Sequence, residues 1–505
     1  MRCLALAAGL RAEGAECLFL CQAGLGALEQ MIIDAGHRLM LITGTKEVQR
    51  SPEDERLAHD HWLPGGWKQD LDTCLDKLAS EPAADWLVVD HYALDRRWER
   101  GMRGVTRSIM AIDDLADRVH DCDLLLDQNF MPAMDSRYAD LVPGGCRSLL
   151  GPRYALLRSE FSRKDDPGCG INHQKLRLLV MFGGADAGNL TLRTVKSLAH
   201  MGWDGSVDIV VGYLYSGLET LRASIKSLHD VTLHAPARDV AALMRYADLA
   251  VGSPGVASLE RCACALPSLT ISQARNQEKV GEALAEAGAH WYLGSADAVT
   301  DEELQQALRL LHRNVFARKA MSTVAASICD GQGVKRVIRQ MLASALTIRP
   351  VRAEDAMLLF GWRNDERTRR QSLDSRPIDP TSHVDWLMKV LRDEDRILLL
   401  VSREGSDVAC VRFDCTCERA TVSIYLDPDL HGRGTGAPAL MAAIDWLRAA
   451  RPDVRLVEAD ILASNRVSQA LFASVGFTPA RTRYELRLTN SGVRLDQGQR
   501  AKGRP

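Results

Sequence analysis

The chain has 505 residues, 46% of them hydrophobic and 26% charged, with a formal net charge of −3. This is ordinary globular composition, spread over roughly two to four domains. Charge so close to balance excludes nucleic acid or an anionic membrane surface as an electrostatic partner, and no apolar run is long enough to span a bilayer. The thirteen cysteines are scattered through apolar stretches. Cys262-Ala-Cys264 and Cys415-Thr-Cys417 are too closely spaced for a zinc knuckle and have no matching Cys/His set, so no metal site is expected. Buried thiols in a reducing cytoplasm are the expectation.

The opening MRCLALAAGL reads as a helix with Cys3, Leu6 and Leu10 on one stripe; Arg11, Glu13 and Glu16 interrupt it too early for a signal peptide. Short apolar strands are then expected at Cys17–Cys21, Leu39–Ile42, Trp86–Val89, Ser108–Ile112 and Leu124–Leu126, alternating with helical stretches. Such alternation predicts a parallel sheet with helices on both faces. The polar stretch Ser162–Lys175 reads as a linker. A second series follows at Leu176–Met181, Ser206–Val211, Leu249–Val251, Ser268–Ile271 and His290–Tyr292, closed by helices from Asp301 to about Ala345. A third unit opens with a strand at Leu346–Pro350 and a helix from Glu354, and the tail from Thr489 to Pro505, lacking apolar periodicity, is expected to be disordered. The expected domains are therefore 1–165, 172–345 and 346–488. A doubly wound domain normally begins with a strand that turns through glycine into its first helix. Here the helical pattern starts at residue 1, so a start upstream of Met1 is expected.

Three segments after apolar runs suit a nucleotide diphosphate. Gly183-Gly184 lets backbone N–H groups approach phosphate oxygens, and Asp186 is placed to cap the following turn. In SPGVASLE, Ser253 to Glu260, Gly255 and Ser258 stand at a helix start suited to a pyrophosphate, while Glu260 can accept ribose hydroxyls. Asn276-Gln277 adds uncharged donors and acceptors beside a sugar. The pair Asp113-Asp114 reads better as a cap or loop than as a metal site, and His91 reads as structural.

The C-terminal third carries a different signature. Strand Ala420–Leu426 leads through Asp427-Pro428 into His431-Gly432-Arg433-Gly434-Thr435-Gly436 and an apolar helix to about Ala449. Successive N–H groups of that loop suit the pyrophosphate arm of coenzyme A. A second strand, Leu456–Ile461, precedes Asn465, Ser468, Leu471-Phe472 and Gly476-Phe477.

Asp90-His91-Tyr92, Ile112 to Arg118, Gly151 to Arg158, Phe182 to Asp186 and Ala274 to Gln277, occurring in that order, resemble the UDP-sugar hydrolase family of pseudaminic acid biosynthesis. The resemblance covers residues 1 to about 345. It implies an α/β fold built as a GT-B-like pair of doubly wound Rossmann-type domains, with UDP cleaved from a diacetamido-trideoxy sugar and Tyr92 and Asn276 lining the sugar site. Only the end of the family's N-terminal motif is present, Arg2 to Ala7. Its glycine turn and water-activating histidine would lie before Met1, so this chain is expected to be impaired in hydrolysis.

Residues 346 to about 488 resemble GCN5-related N-acetyltransferases, an α+β domain that uses acetyl-CoA. Trp362-Arg363-Asn364-Asp365 and His383-Val384-Asp385-Trp386 are similar to blocks of the aminosugar branch, although a helix face packing the core explains them equally well. Phe472 stands where many members carry a tyrosine acid; Tyr484 is the nearby candidate. Acetyl-CoA and a UDP-aminosugar are thus the expected ligands of a two-reaction enzyme. The competing expectations are a GT-B-type glycosyltransferase fused to an acetyltransferase, or a non-catalytic UDP-sugar-binding module fused to one.

Overall fold

Runs such as Leu124-Leu125-Leu126 and Leu178-Leu179-Val180 carry apolar side chains on both faces of a strand, and only a sheet covered by helices on both sides buries them all. The computed structural model describes residues 1–480 except 25, 43–56, 64, 163–174, 185, 213, 236, 238, 373 and 404. Most of the expected linker and all of the polar tail lie outside the described residues. The chain divides into two compact units, Met1–Met341 and Leu342–Pro505.

The first unit opens with helix Arg2–Ala12, which buries Ala5, Leu6 and Ala7 and passes so close to Val334 and Ile338 that a Cβ on Gly9 would lie 2.6 and 2.7 Å from their side chains. The expected stripe through Cys3 and Leu10 is only half-buried. Strands β1 (Leu18–Gln22) and β2 (Arg38–Ile42) form one parallel pair. Strands β3 (Ala84–Val89), β4 (Thr106–Ile112), β5 (Leu124–Asp127) and β6 (Arg147–Leu150) form a parallel sheet in chain order.

A six-stranded parallel sheet follows, from β7 (Arg177–Met181), β8 (Ser206–Val210), β9 (Val231–His234), β10 (Leu249–Gly252), β11 (Ser268–Ser272) and β12 (His290–Ser295). Their spatial order is β12-β11-β10-β7-β8-β9, the arrangement of a dinucleotide-binding fold. Alternate side chains feed opposite layers: Leu178 and Val180 join Val195, Leu198 and Leu308, while Leu179 joins Leu259, Cys262 and Leu284. Strands β6 and β9 were not expected. Each has four residues and lies at a sheet edge, where pairing along one side and partial exposure leave little apolar pattern to read.

A buried ionic cluster braces the N-terminal half. Arg118 Nη1 donates to Asp113 Oδ1 at 2.8 Å, His120 Nδ1 lies 2.7 Å from Glu99 Oε1, and His120 Nε2 lies 3.7 Å from Asp113 Oδ2. Burial by itself would lower the His120 pKa, but the two carboxylates outweigh it and raise the imidazole to about 9. For Asp113, burial is likewise outweighed, by His120 and Arg118, and its carboxyl is held well below the usual range.

The second unit is a five-stranded sheet of β13 (Leu346–Pro350), β14 (Arg396–Arg403), β15 (Ser406–Thr416), β16 (Arg419–Leu426) and β17 (Leu456–Glu458), in that order. All pairings are antiparallel except β16 with β17, which run parallel. Along β14, Leu398 and Leu400 face Leu359, Trp362 and Leu387 on one side, while Leu399 and Val401 join the layer of Leu440, Leu447 and Phe472 on the other. A pair of Rossmann-type α/β halves followed by an α+β domain is the fold class expected above. No described helix is long and apolar enough to cross a membrane.

His120 has a raised pKa when folded, so its contribution to stability is complete below about pH 6.5, the unfolded value, and is lost as pH rises through about 9. His120→Gln is expected to destabilise the protein by roughly 2–3 kcal/mol at pH 6 and by much less at pH 10, measured as denaturant midpoints at the two pH values.

Candidate active sites

In an open parallel sheet, ligands bind where neighbouring strands send their following helices to opposite faces. Here that point lies between β7 and β10. The loops after β7, β10 and β11 meet there. The Phe182 carbonyl accepts from Gln273 Nε2 at 2.7 Å and from Ser253 Oγ at 3.4 Å. Gln277 Oε1 accepts the Gln273 N–H at 2.9 Å, and Gln277 Nε2 lies 3.7 Å from the place of a Cβ on Gly255. The three segments singled out in the sequence therefore share one crevice.

Individual residues play different parts in it. Gly183 has φ +100° with open space around it, a conformation that favours glycine. Gly184 underlies a backbone contact: a Cβ on Gly212, just after β8, would lie 2.5 Å from the Gly184 carbonyl oxygen. Asp186 accepts the N–H groups of Leu190 (3.0 Å) and Thr191 (2.8 Å), so its carboxylate itself occupies the start of helix Leu190–His200. Helix Val256–Ala263 differs, because its N-cap residue Gly255 provides no side-chain cap. Ser258 is buried, with its Oγ donating to the Ser253 carbonyl at 3.4 Å. Burial pushes the Glu260 carboxyl up to about 7, against the opposing pull of Arg158 and Arg261. Asn276 is exposed in the first turn of helix Arg275–Glu286. Gln273 and Gly212 were missed by sequence reasoning; each stands one or two residues past a strand, which was the available signal.

At the carboxyl edge of β3 and β4, Tyr92 donates to Asp114 Oδ1 at 2.5 Å, and Arg2 bridges Asp90 and Asp114 at 2.6 and 3.2 Å. The Tyr92 ring lies 5.3 Å from His59 and 5.5 Å from Trp62, which is 47% exposed. The His59–Trp62 segment also escaped the sequence reading, since histidines and a tryptophan in a polar loop carry no periodicity. His91 accepts the Ala93 N–H on Nδ1, and burial lowers its pKa, keeping it neutral. Asp113 is wholly buried against Arg118, as a structural carboxylate. Among the described residues no group of three or more His, Cys, Asp and Glu is placed to hold a metal ion.

In the second unit, β16 pairs with β17 only from Arg419 to Thr421, yet continues to Leu426. Beyond Thr421 its backbone groups on that side have no strand partner among the described residues. β17 stops at Glu458 instead of the expected Ile461, which is what creates the opening. The glycine loop starts at the end of β16. Gly432 and Gly434 adopt φ +78° and +77°, with no atom within 4 Å of a Cβ position on Gly432, while His431, Arg433 and Thr435 bring the chain to helix Gly436–Ala450, whose start has no side-chain cap. Gly436 has a packing role: a Cβ there would lie 2.4 Å from Leu471 Cδ1.

Asn465 Oδ1 accepts the Ser468 N–H at 2.9 Å, and its Nδ2 donates to the Gln371 carbonyl, so it caps helix Arg466–Val475 and ties it to a loop. Phe472 is buried, edge-on to Phe477 at 5.0 Å. Tyr484 lies outside the described residues. Tyr425, on the open stretch of β16, was not singled out; burial holds its phenol well above the usual range, in a setting that includes Cys410 and Arg363. Trp362 and His383 are buried, so the two tryptophan blocks do serve the core, while Arg363 is half-buried with Nη1 unpartnered.

Residues 345–478 match the family described as acetyltransferase (GNAT) domain. The chain is 23% identical over 340 residues to an uncharacterised protein of Methanocaldococcus jannaschii, covering 65% of this chain and 67% of that one. It is 26% identical over 207 residues to the spore coat polysaccharide biosynthesis protein SpsG of Bacillus subtilis, covering 40% and 60%. It is also 26% identical over 215 residues to the UDP-2,4-diacetamido-2,4,6-trideoxy-beta-L-altropyranose hydrolase of Campylobacter jejuni, covering 42% and 76%. The alignments thus span between 60% and 76% of these relatives. The chain joins a module homologous to that hydrolase to a GNAT acetyltransferase domain.

Two substitutions probe these loops. Gly434→Ala forces a side chain into a left-handed conformation that costs about 1–2 kcal/mol, and acetyl-CoA affinity measured by calorimetry should fall several-fold. Asp186→Ala removes two cap bonds and should cost about 1 kcal/mol of stability, visible as a lower melting temperature.

Proposed function

We propose that the chain is a bifunctional nucleotide-sugar enzyme of pseudaminic (nonulosonic) acid biosynthesis. Its second unit N-acetylates a UDP-4-amino-sugar from acetyl-CoA, and its first unit releases UDP from the resulting UDP-2,4-diacetamido-2,4,6-trideoxy sugar by hydrolysis. The observation that carries the reading is the meeting of three loops at the crevice beside an uncapped helix start, in a chain homologous to a UDP-sugar hydrolase.

Each half of the chemistry has a place. Gly183, Gly184, Gly255 and Ser258 provide backbone and hydroxyl groups for the diphosphate, and an ionised Glu260 accepts from ribose. Asn276, Gln277 and Tyr92 line the sugar. Attack of water at the anomeric carbon breaks its bond to the UDP oxygen; a base must hold that water.

In the acetyltransferase, the pyrophosphate of coenzyme A meets the N–H groups from His431 to Gly436, with Arg433 supplying charge. The exposed backbone of β16 beyond Thr421 aligns the pantetheine arm by strand-like hydrogen bonds. Asn465, Ser468 and Phe472 shape the other wall. The sugar amine attacks the thioester carbonyl, loses a proton, and expels the thiolate of coenzyme A. Acetyl-CoA is the cosubstrate, no metal takes part, and both ligands are cytoplasmic.

Incubating the full chain with acetyl-CoA and the UDP-4-amino-sugar, with products read by mass spectrometry, tests the reading. Coenzyme A and acetylated UDP-sugar are expected first, with free diacetamido sugar and UDP released only slowly, hydrolysis being the step in which this chain is expected to be impaired. Acetylated UDP-sugar that accumulates intact would reduce the first unit to a binding module. Consumption only in the presence of a second sugar would replace hydrolysis with glycosyl transfer.

A further inference from the structure

Arg261 is 1% exposed and is among the largest fully buried side chains of the protein. It lies in helix Val256–Ala263, and its guanidinium turns back beneath the loop that joins β10 to that helix. Nη2 donates to the Ser253 carbonyl at 2.9 Å and to Ser258 Oγ at 3.0 Å. Nη1 lies 2.9 Å from the place of a Cβ on Gly252, at the end of β10. Nε and Nη1 are buried without a hydrogen-bond partner among the described residues, and the carboxylate that acts on the guanidinium is that of the neighbouring Glu260. Removing a guanidinium from water is strongly unfavourable, and here burial outweighs the attraction of Glu260. Burial correspondingly pulls its pKa down, to about 10. His290, nearby, is also held neutral by its own burial and by the Arg261 charge.

The cation, only partly offset by Glu260, lies directly behind an uncapped helix start, so its field and that of the helix dipole add on the crevice side of the loop. We propose that Arg261 is a positioning residue for a diphosphate: it fixes Ser253 and Ser258 from behind and supplies, through the loop, the positive charge that the bound anion neutralises. This rests on the reading of the crevice as a nucleotide site, and it assigns the source of its anion selectivity. The site is therefore unstable by design when empty, and the anion relieves a cost that the fold alone leaves in place.

Calorimetry on the full chain with UDP, uridine and inorganic pyrophosphate, together with melting curves, tests this. Arg261→Met keeps the bulk and removes the charge. It should weaken UDP and pyrophosphate at least tenfold, leave uridine within twofold, and leave the melting temperature of the ligand-free protein unchanged or higher. Arg261→Lys, which restores charge without the fork, should recover part of the UDP affinity. Equal weakening of UDP and uridine together with a lower ligand-free melting temperature would mean a purely structural role and overturn the proposal, as would UDP binding by Arg261→Met at wild-type strength. If the wild-type chain binds pyrophosphate but neither UDP nor uridine, the nucleotide reading fails; a tenfold loss of pyrophosphate in Arg261→Met would still uphold the role of Arg261. Failure of the wild-type chain to bind any of the three sinks both.

Discussion

The reversal of strand order between β7 and β10 is the constraint on which the first unit depends. Right-handed crossovers from adjacent parallel strands place their helices on opposite faces only where the order reverses, and no helix can then cover the gap above the strand ends. Everything that marks the crevice follows from that gap. Three loops supply one another with hydrogen bonds there, through Phe182, Ser253, Gln273 and Gln277. The helix start at Gly255 faces the same space, with its first N–H groups uncapped by any side chain.

The second unit reaches a comparable result by other means. Its sheet is covered on both faces, so an opening can arise only at an edge or where strands part. β16 and β17 separate after Thr421, and the parting leaves main-chain donors and acceptors beside a glycine loop. In both units, then, the open groups are backbone groups that regular structure has left over. Side chains such as Asp186 and Asn465 serve mainly to close the other helix ends, so that the open ones stand apart.

Much of this could be read in the sequence, and the reasons are local. Strands buried on both faces, such as β5 and β7, are built round short apolar runs and were legible; edge strands β6 and β9 were not. The glycine loops were visible because positive φ demands glycine at Gly183, Gly432 and Gly434. What a glycine was needed for was less visible. Gly436 and Gly212 answer to close neighbours, Leu471 and Gly184, that only the folded chain brings near. Arg261 was hidden for a related reason: next to Glu260 in sequence it looks like half of an exposed helical pair, and nothing local reveals that it points inward. The early end of β17 was equally opaque, because Ala459, Asp460 and Ile461 continue the chain without any breaking residue.

The contact between Gly184 and Gly212 has an implication for how such a site can change. Where two main chains touch, no side chain decides the local shape, so this part of the crevice admits no side chain at Gly212, whereas Gly184 faces open space. Asn276 and Gln277, at the start of the helix that follows β11, carry no such restriction. Divergence among descendants of this fold can therefore concentrate on the exposed loop residues, while the strand-end backbone at Gly212 is inherited nearly intact.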